Sequence, residues 1–323
     1  MFTSADATAI RRGLGEIDFA APLAEPLSLA FELYFEFYRF NLKVIGEDTS
    51  HTAGIINAAG FDVVAQYFRR VGRDSQGTVV LLHGYFDHSG IYQHIIKHCL
   101  DQNFSVVVFD MPGHGLSSGK VASIESFHLY SDVLLRLLDL MASAELPGPW
   151  NLLGQSTGAA VMIDCLLSNR FSSQFPLSKF VALAPLLRPY AWQTSRLLFA
   201  LSRYFLSSTN RKFSENSHDQ QFLDFLKFQD PLQSRRLMRD WILAMVKYQS
   251  GFELAEVNKV PLHIIQGTDD TTVDWKYNLE KFKSKFPNVH IEKIPDARHH
   301  LVNESETYRQ QVFASVDRAF KPI

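Results

Sequence analysis

The stretch Trp150-Asn151-Leu152-Leu153-Gly154-Gln155-Ser156-Thr157-Gly158-Ala159-Ala160-Val161 decides how this chain folds. Trp150 to Leu153 is an apolar run of strand length and Ala159 to Leu167 reads as a helix, so Gly154 to Gly158 is a G-x-S-x-G set on a strand-to-helix turn. A serine raised on such a turn presents its Oγ above a sheet, and glycine-sized neighbours let strand and helix close around the strained residue. In a loop the same pattern is an ordinary exposed serine. The strand before it and the helix after it make Ser156 a candidate nucleophile.

A nucleophilic serine needs a base for its proton and an acid to orient that base, and on this turn they follow in the order Ser, Asp or Glu, His. Val260 to Ile265 reads as a buried strand running into Gln266-Gly267-Thr268-Asp269-Asp270-Thr271-Thr272-Val273-Asp274. A carboxylate there sits at the carboxyl end of a strand, where open α/β sheets place their sites. Asp269 and Asp270 diverge, so only one can hold an imidazole, and Asp274 can cap the helix from Trp275 to Phe286. The next strand, Val289 to Ile294, ends at Pro295-Asp296-Ala297-Arg298-His299-His300, which offers two adjacent candidates for the base.

Acyl transfer also needs two fixed N–H donors for an oxyanion. One is the residue after the nucleophile, Thr157. The other belongs to the loop after the strand Gly77 to Leu82, which continues as His83-Gly84-Tyr85-Phe86, and Tyr85 is the expected donor, with Phe86 as the second choice. On its own His83-Gly84 is equally an ordinary turn. Most other histidines have structural explanations: His263 alternates within a strand, and His94, His98 and His128 lie on helical faces. His94 and His98 followed by Cys99 have metal-ligand spacing, but no carboxylate completes the set, and no metal is expected.

Along the chain, strands are expected at 51–57, 63–70, 78–83, 104–109, 150–155, 179–184, 260–266 and 289–294, with helices such as Ile124 to Ala144 between them. The first two form a hairpin through Ala58-Ala59-Gly60. The rest predict a mostly parallel sheet covered on both faces. Residues 186–258 are far longer than the one helix this alternation requires, and read as a helical lid inserted after the sixth strand. Its aromatics are Trp192, Phe199, Tyr204, Phe205, Phe222, Phe225, Phe228, Trp241 and Tyr248, and at least half are expected simply to pack it on the body. Arg188, Arg196, Arg203, Arg211, Lys212, Arg235, Arg236 and Arg239 make it basic. A solvated face is the first reading and an anionic head group or membrane the second. The organisation is therefore an N-terminal helical extension (1–49), a core in two parts (50–185 and 259–323), and the lid (186–258). Within the extension, Pro26 to Leu42 predicts an amphipathic helix docked on the body, with membrane-surface attachment or a dimer contact second.

Composition fits a globular enzyme. The 323 residues are 46% apolar and 20% charged, enough for a large core, and a net charge of −2 gives no reason to expect nucleic acid. Cys99 and Cys165 read as small buried hydrophobes compatible with a reducing compartment. Arg11 and Arg12 are not followed by an apolar core, so no signal peptide is expected and the predicted location is the cytoplasm. Oligomeric state is not legible.

The run His83-Gly84-Tyr85-Phe86-Asp87-His88-Ser89-Gly90-Ile91-Tyr92, then Asp110-Met111-Pro112-Gly113-His114-Gly115-Leu116-Ser117-Ser118-Gly119, then the elbow, resembles the monoacylglycerol lipase and lysophospholipase branch of the α/β-hydrolases. The resemblance covers roughly residues 50 to 320. In that branch the acid sits in G-x-x-D-x-x-V and the base in A-x-H-E-L-x-N-E; matched residue by residue, these select Asp270 and His299. Asp87 and His300 each stand where the family usually has glutamate, and Gln155-Ser156-Thr157 replaces the commoner histidine-serine-methionine. These departures touch acyl-chain and head-group preference and leave the reaction class intact. The resemblance implies an eight-stranded α/β-hydrolase and a serine esterase with the triad Ser156, Asp270 and His299, oxyanion donors Tyr85 and Thr157, and no cofactor. The implied substrate is an acyl ester or mono-acyl lipid. A thioesterase, acyltransferase or peptidase with the same triad, or a non-catalytic ligand-binding member of the fold, are the alternatives.

Overall fold

The computed structural model describes residues 1–23, 27–40, 45–193 and 206–321. Pro26 and Leu42, and from the inserted segment Arg196, Phe199, Arg203, Tyr204 and Phe205, lie outside the described residues.

In chain order the elements are α1 (Ser4–Gly13), α2 (Leu29–Phe37), β1 (Thr49–Ala58), β2 (Phe61–Arg70), β3 (Thr78–Leu82), α3 (Gln93–Asp101), β4 (Ser105–Phe109), α4 (Phe127–Ser143), β5 (Trp150–Gln155), α5 (Thr157–Leu167) and β6 (Leu177–Leu183). Then come β7 (Ser208–Asn210), α6 (Gln220–Asp224), β8 (Arg236–Met238), α7 (Arg239–Leu254), β9 (Leu262–Gly267), α8 (Trp275–Lys285), β10 (Val289–Ile294) and α9 (Glu306–Phe320).

Eight strands form one sheet in the order β1-β2-β4-β3-β5-β6-β9-β10. β1 and β2 are an antiparallel hairpin, β2 runs antiparallel to β4, and all other pairs are parallel. Ala59 and Gly60 close the hairpin with φ of 52° and 81°, the paired left-handed conformation that suits a two-residue connection. Every residue of β3, β4 and β5 is buried, which is why these strands read as continuous apolar runs: helices cover both faces. One face packs α4, α5, α7 and α8, while the other packs α1, α2, α3 and α9. This is the α/β-hydrolase fold. β3 has β4 on one side and β5 on the other, so the direction of strand addition reverses there. The crevice that forms at such a reversal opens beyond the carboxyl ends of β3 and β5.

Several boundaries differ from expectation for local reasons. α4 starts at Phe127 because Ser126 caps it, its Oγ accepting the His128 N–H at 3.3 Å. The inserted segment is not wholly helical: Ser208-Thr209-Asn210 pairs antiparallel with Arg236-Leu237-Met238 as a two-stranded ribbon. Serine, threonine and asparagine are weak helix formers whose side chains compete for backbone hydrogen bonds, so this stretch yields to pairing.

α2 packs Phe31, Tyr34 and Phe35 into the core on one sheet face, with Tyr38 following them inward. Phe37 and Tyr38 also meet Phe225 of the inserted segment, with ring centroids 5.4 and 5.9 Å apart. The N-terminal residues therefore bridge the sheet and the insertion.

Candidate active site

Ser156 follows β5 with φ 53° and ψ −108°, a strained backbone for a non-glycine residue. Two glycines make the turn feasible. A Cβ on Gly158 would meet the Leu82 carbonyl oxygen at 2.2 Å, and one on Gly154 would meet the Ala159 nitrogen at 2.5 Å. α5 thus runs hard against β3 and its own strand, and Ser156 is held at the end of β5, where its N–H donates to Leu183 O at 2.8 Å.

His299 arrives on the loop after β10 and Asp270 on the loop after β9. His299 Nδ1 lies 2.7 Å from Asp270 Oδ2, and Nε2 lies 3.0 Å from Ser156 Oγ. A carboxylate only accepts, so Nδ1 carries the hydrogen toward Asp270 and Nε2 is left to accept from the Ser156 hydroxyl. All three side chains are buried. Asp270 also accepts from Gln266 Nε2 (3.0 Å) and from the N–H groups of Thr272 (2.8 Å) and Val273 (3.1 Å), which leaves its carboxylate one orientation. Asp269 points away and pairs with Arg298 at 3.3 Å near solvent, while Asp274 caps α8 through the Tyr277 N–H. The structure brings Ser156, His299 and Asp270 together and keeps Asp269 and Asp274 apart from them.

Tyr85 and Thr157 border the same space. Among the described residues no protein acceptor takes the N–H of either, and Thr157 is the first residue of α5, where helix N–H groups have no internal partner. The Tyr85 side chain is tightly held: its hydroxyl donates to Ala122 O at 2.8 Å, and its ring stacks on Trp241 of α7 at 3.7 Å with planes 11° apart. From sequence Trp241 reads only as one of the aromatics of the insertion, and nothing in sequence distance links it to Tyr85.

Around this centre two of the departures from the family pattern, Asp87 and His300, meet. The His300 Nε2–H donates to Asp87 Oδ1 at 3.0 Å, and Asp87 Oδ2 accepts from Gly84 N–H and Tyr92 OH, both at 3.1 Å. Burial opposes the ionised carboxyl of Asp87, but the adjacent His300 outweighs it and holds the group below the usual carboxylate range. Glu304, on the same loop as His299, accepts from the N–H of Arg298 (2.7 Å) and from His218 Nδ1 (2.9 Å) of the insertion, so it fixes the loop that bears His299. Deeper in, His88 Nε2 donates to Asp230 Oδ2 at 3.0 Å, and Tyr38 OH donates to Asp230 Oδ1 at 2.6 Å. Burial alone would keep His88 neutral; the carboxylate of Asp230 reverses that and raises its pKa, while His88 in turn depresses Asp230 against burial. Glu304 closes the A-x-H-E-L-x-N-E match but carries no assigned role there, and Asp230 has no sequence signal at all, being an isolated acid.

A cavity of about 620 Å³ opens over Ser156 and His299. Tyr85, Phe86, Leu186, Trp192, Leu223 and Met245 supply apolar wall, Arg211, Lys212 and Lys227 add cations, and Glu215 and Asp224 add carboxylates. The size and lining are those of a small-molecule site. His98, of the sequence-level pair with His94, is engaged instead with Asp317 at 2.8 Å.

The model of the family described as Serine aminopeptidase, S33 matches residues 73–306. Monoglyceride lipase of Homo sapiens is 30% identical over 110 residues, covering 34% of this chain and 36% of that protein. The matched segment thus spans about a third of that relative's length. Monoglyceride lipase homolog of Monkeypox virus is 25% identical over 248 residues, 74% of this chain and 87% of that one. Among solved structures, a soluble variant of monoglyceride lipase from Saccharomyces cerevisiae superposes with a TM-score of 0.68 at 17% identity, covering 80% of this chain and 91% of that chain.

Proposed function

The chain belongs to the Serine aminopeptidase, S33 family, in its monoacylglycerol lipase-like branch of α/β-hydrolases, and on that premise we propose that it hydrolyses the ester of a mono-acyl lipid through an acyl-enzyme on Ser156. The observation that carries the reading is the unbroken series Ser156 Oγ, His299, Asp270 at 3.0 and 2.7 Å. His299 takes the proton as Ser156 Oγ attacks the ester carbonyl. Asp270 holds the imidazole tautomer and stabilises the imidazolium, and the N–H groups of Tyr85 and Thr157 receive the oxyanion. On collapse His299 protonates the leaving alcohol, and water then repeats the sequence on the acyl-enzyme.

The apolar cavity wall supports a fatty acyl chain, and in this reading residues 186–258 form its lid. No helix among the described residues is long and apolar enough to cross a membrane, so the substrate would be met by a protein without a spanning helix in those regions.

The test is hydrolysis of a 1-monoacylglycerol together with labelling by a fluorophosphonate, for the wild type and Ser156→Ala. Wild type should turn over and be labelled; the variant should lose turnover by a factor on the order of 10⁶ and lose the label while remaining folded. Retained turnover in Ser156→Ala would overturn the assignment.

A further inference from the structure

One cation in the cavity is placed differently from the other basic residues of the insertion. Arg188 pairs with Asp274, Arg239 with Asp240, and Arg236 spends its guanidinium on Ser208 and Asn210 at the surface. Arg211 instead follows β7 directly, and its N–H donates to Arg235 O at 2.9 Å, so the β7–β8 ribbon fixes where its side chain starts. The side chain runs into the wall of the cavity that contains Ser156. Its guanidinium lies 4.0 Å from the centre of the Phe86 ring and 4.4 Å from that of Phe213. Nη1 donates to Gln233 Oε1 at 2.5 Å and to Ser234 O at 3.3 Å.

Those contacts hold one corner of the fork and leave the rest of it uncommitted. Among the described residues Arg211 makes no ion pair; Asp87 and Asp230 attract it only from longer range, and burial lowers its pKa to about 10, so it stays charged. A half-buried guanidinium held by neutral groups and aromatic faces costs desolvation without a carboxylate to offset it. Its planar set of donors matches two oxygens of a phosphate or carboxylate. Phe86 is one residue from Tyr85, so the charge sits beside the proposed oxyanion site. There an ester's alcohol portion, and not the distal end of its acyl chain, would lie.

We propose that Arg211 binds an anionic phosphate in the head group of the substrate, which makes a phosphorylated mono-acyl glycerol ester the preferred class over a neutral one. This rests on the ester-hydrolase reading above and sharpens it. Lys212, exposed on the same cavity, and Lys227 are offset by Glu215 and Asp224 of the same lining, so the selectivity rests on the placed guanidinium of Arg211 and not on a general positive field.

The experiment compares kcat/KM for a 1-acylglycerol 3-phosphate and the 1-acylglycerol with the same acyl chain, in wild type, Arg211→Gln and Arg211→Lys, with thermal unfolding of each. Wild type should favour the phosphorylated ester, and Arg211→Gln should cut that ratio about tenfold or more, chiefly through KM, with Arg211→Lys in between. An unchanged ratio in Arg211→Gln, or equal losses on both esters with a lowered melting temperature, would overturn the proposal and leave the hydrolase reading standing. Inhibition of neutral-ester hydrolysis by inorganic phosphate without any preference for the phosphorylated ester would assign Arg211 to a free anion and equally overturn it. Hydrolysis of neither ester would remove the ester-lipid reading and this one together.

Discussion

His300 and Asp87 are bonded side chain to side chain at 3.0 Å, and through that contact the loop bearing His299 is tied to the loop bearing Tyr85. Asp87 passes the restraint on, because its second oxygen accepts from the Gly84 N–H. Removing His300 leaves a buried carboxylate short of a donor, which costs about 1–3 kcal/mol and loosens the turn before Tyr85. His300→Ala is expected to lower kcat by roughly tenfold with little change in KM, and His300→Gln, which keeps an N–H donor, to recover part of it. His299→Ala should approach the loss in Ser156→Ala, and the double variant should be little worse than either, because base and nucleophile act as a unit. Steady-state kinetics on a p-nitrophenyl ester checks all four.

The acid is the next discriminating pair. Asp270→Asn should cost on the order of 10⁴ in rate by supporting the wrong imidazole tautomer, with the protein still folded. Asp269→Asn removes only a solvent-side partner of Arg298 and should stay within a few-fold of wild type. The reverse order would move the acid by one residue.

Trp241 lies on a different element from Tyr85, yet their rings are stacked. Trp241→Ala empties that contact and should destabilise the protein by about 3–5 kcal/mol, read from urea unfolding. Trp241→Phe, retaining an aromatic face, should lose much less and keep kcat closer to wild type.

The buried His88–Asp230 pair gives a pH signature. His88 has its folded pKa raised above 6.5, so its contribution is full below that value and fades as pH climbs through the raised one. Asp230 is depressed below 3.8, so its contribution is present above that value and fades on acidification. Asp230→Asn should therefore cost most between about pH 4 and 6.5 and progressively less at alkaline pH. Urea midpoints of wild type and variant across pH 4 to 9 provide the measurement, and a pH-independent difference would refute the pairing.

If the cavity takes an acyl chain, kcat/KM should rise about fourfold per methylene, from roughly 0.8 kcal/mol each, until the cavity is filled. A series of p-nitrophenyl esters from acetate upward tests this. A maximum at acetyl or butyryl would point to a small-ester hydrolase.

Much of the architecture was legible because the relevant signals are local. A buried parallel strand is a continuous apolar run, and β3, β4 and β5 are such runs. Ser156 announces itself through the glycines that its turn demands, and the choice of Asp270 over Asp269 came from a spacing to Gly267 and Val273 whose N–H the carboxylate in fact accepts. What stayed hidden depends on contacts between distant segments. The stacking of Trp241 on Tyr85, the meeting of His300 with Asp87 across 213 positions, and the placing of Arg211 by a ribbon within a segment expected to be helical have no periodic or spacing signature. His300 and Asp87 were each visible as departures, but their compensation was not.

Tyr38, His88 and Asp230 form one buried hydrogen-bonded unit drawn from the N-terminal region, the loop after β3 and the segment between β6 and β9. That segment is consequently not a cassette. A chimaera that grafts in a stretch without an acid at the position of Asp230 would strand an imidazole and a phenol with no acceptor, and such a graft would have to carry all three pieces at once. The boundary of an exchangeable unit in this enzyme is drawn by its internal polar contacts and cuts across the order of the chain.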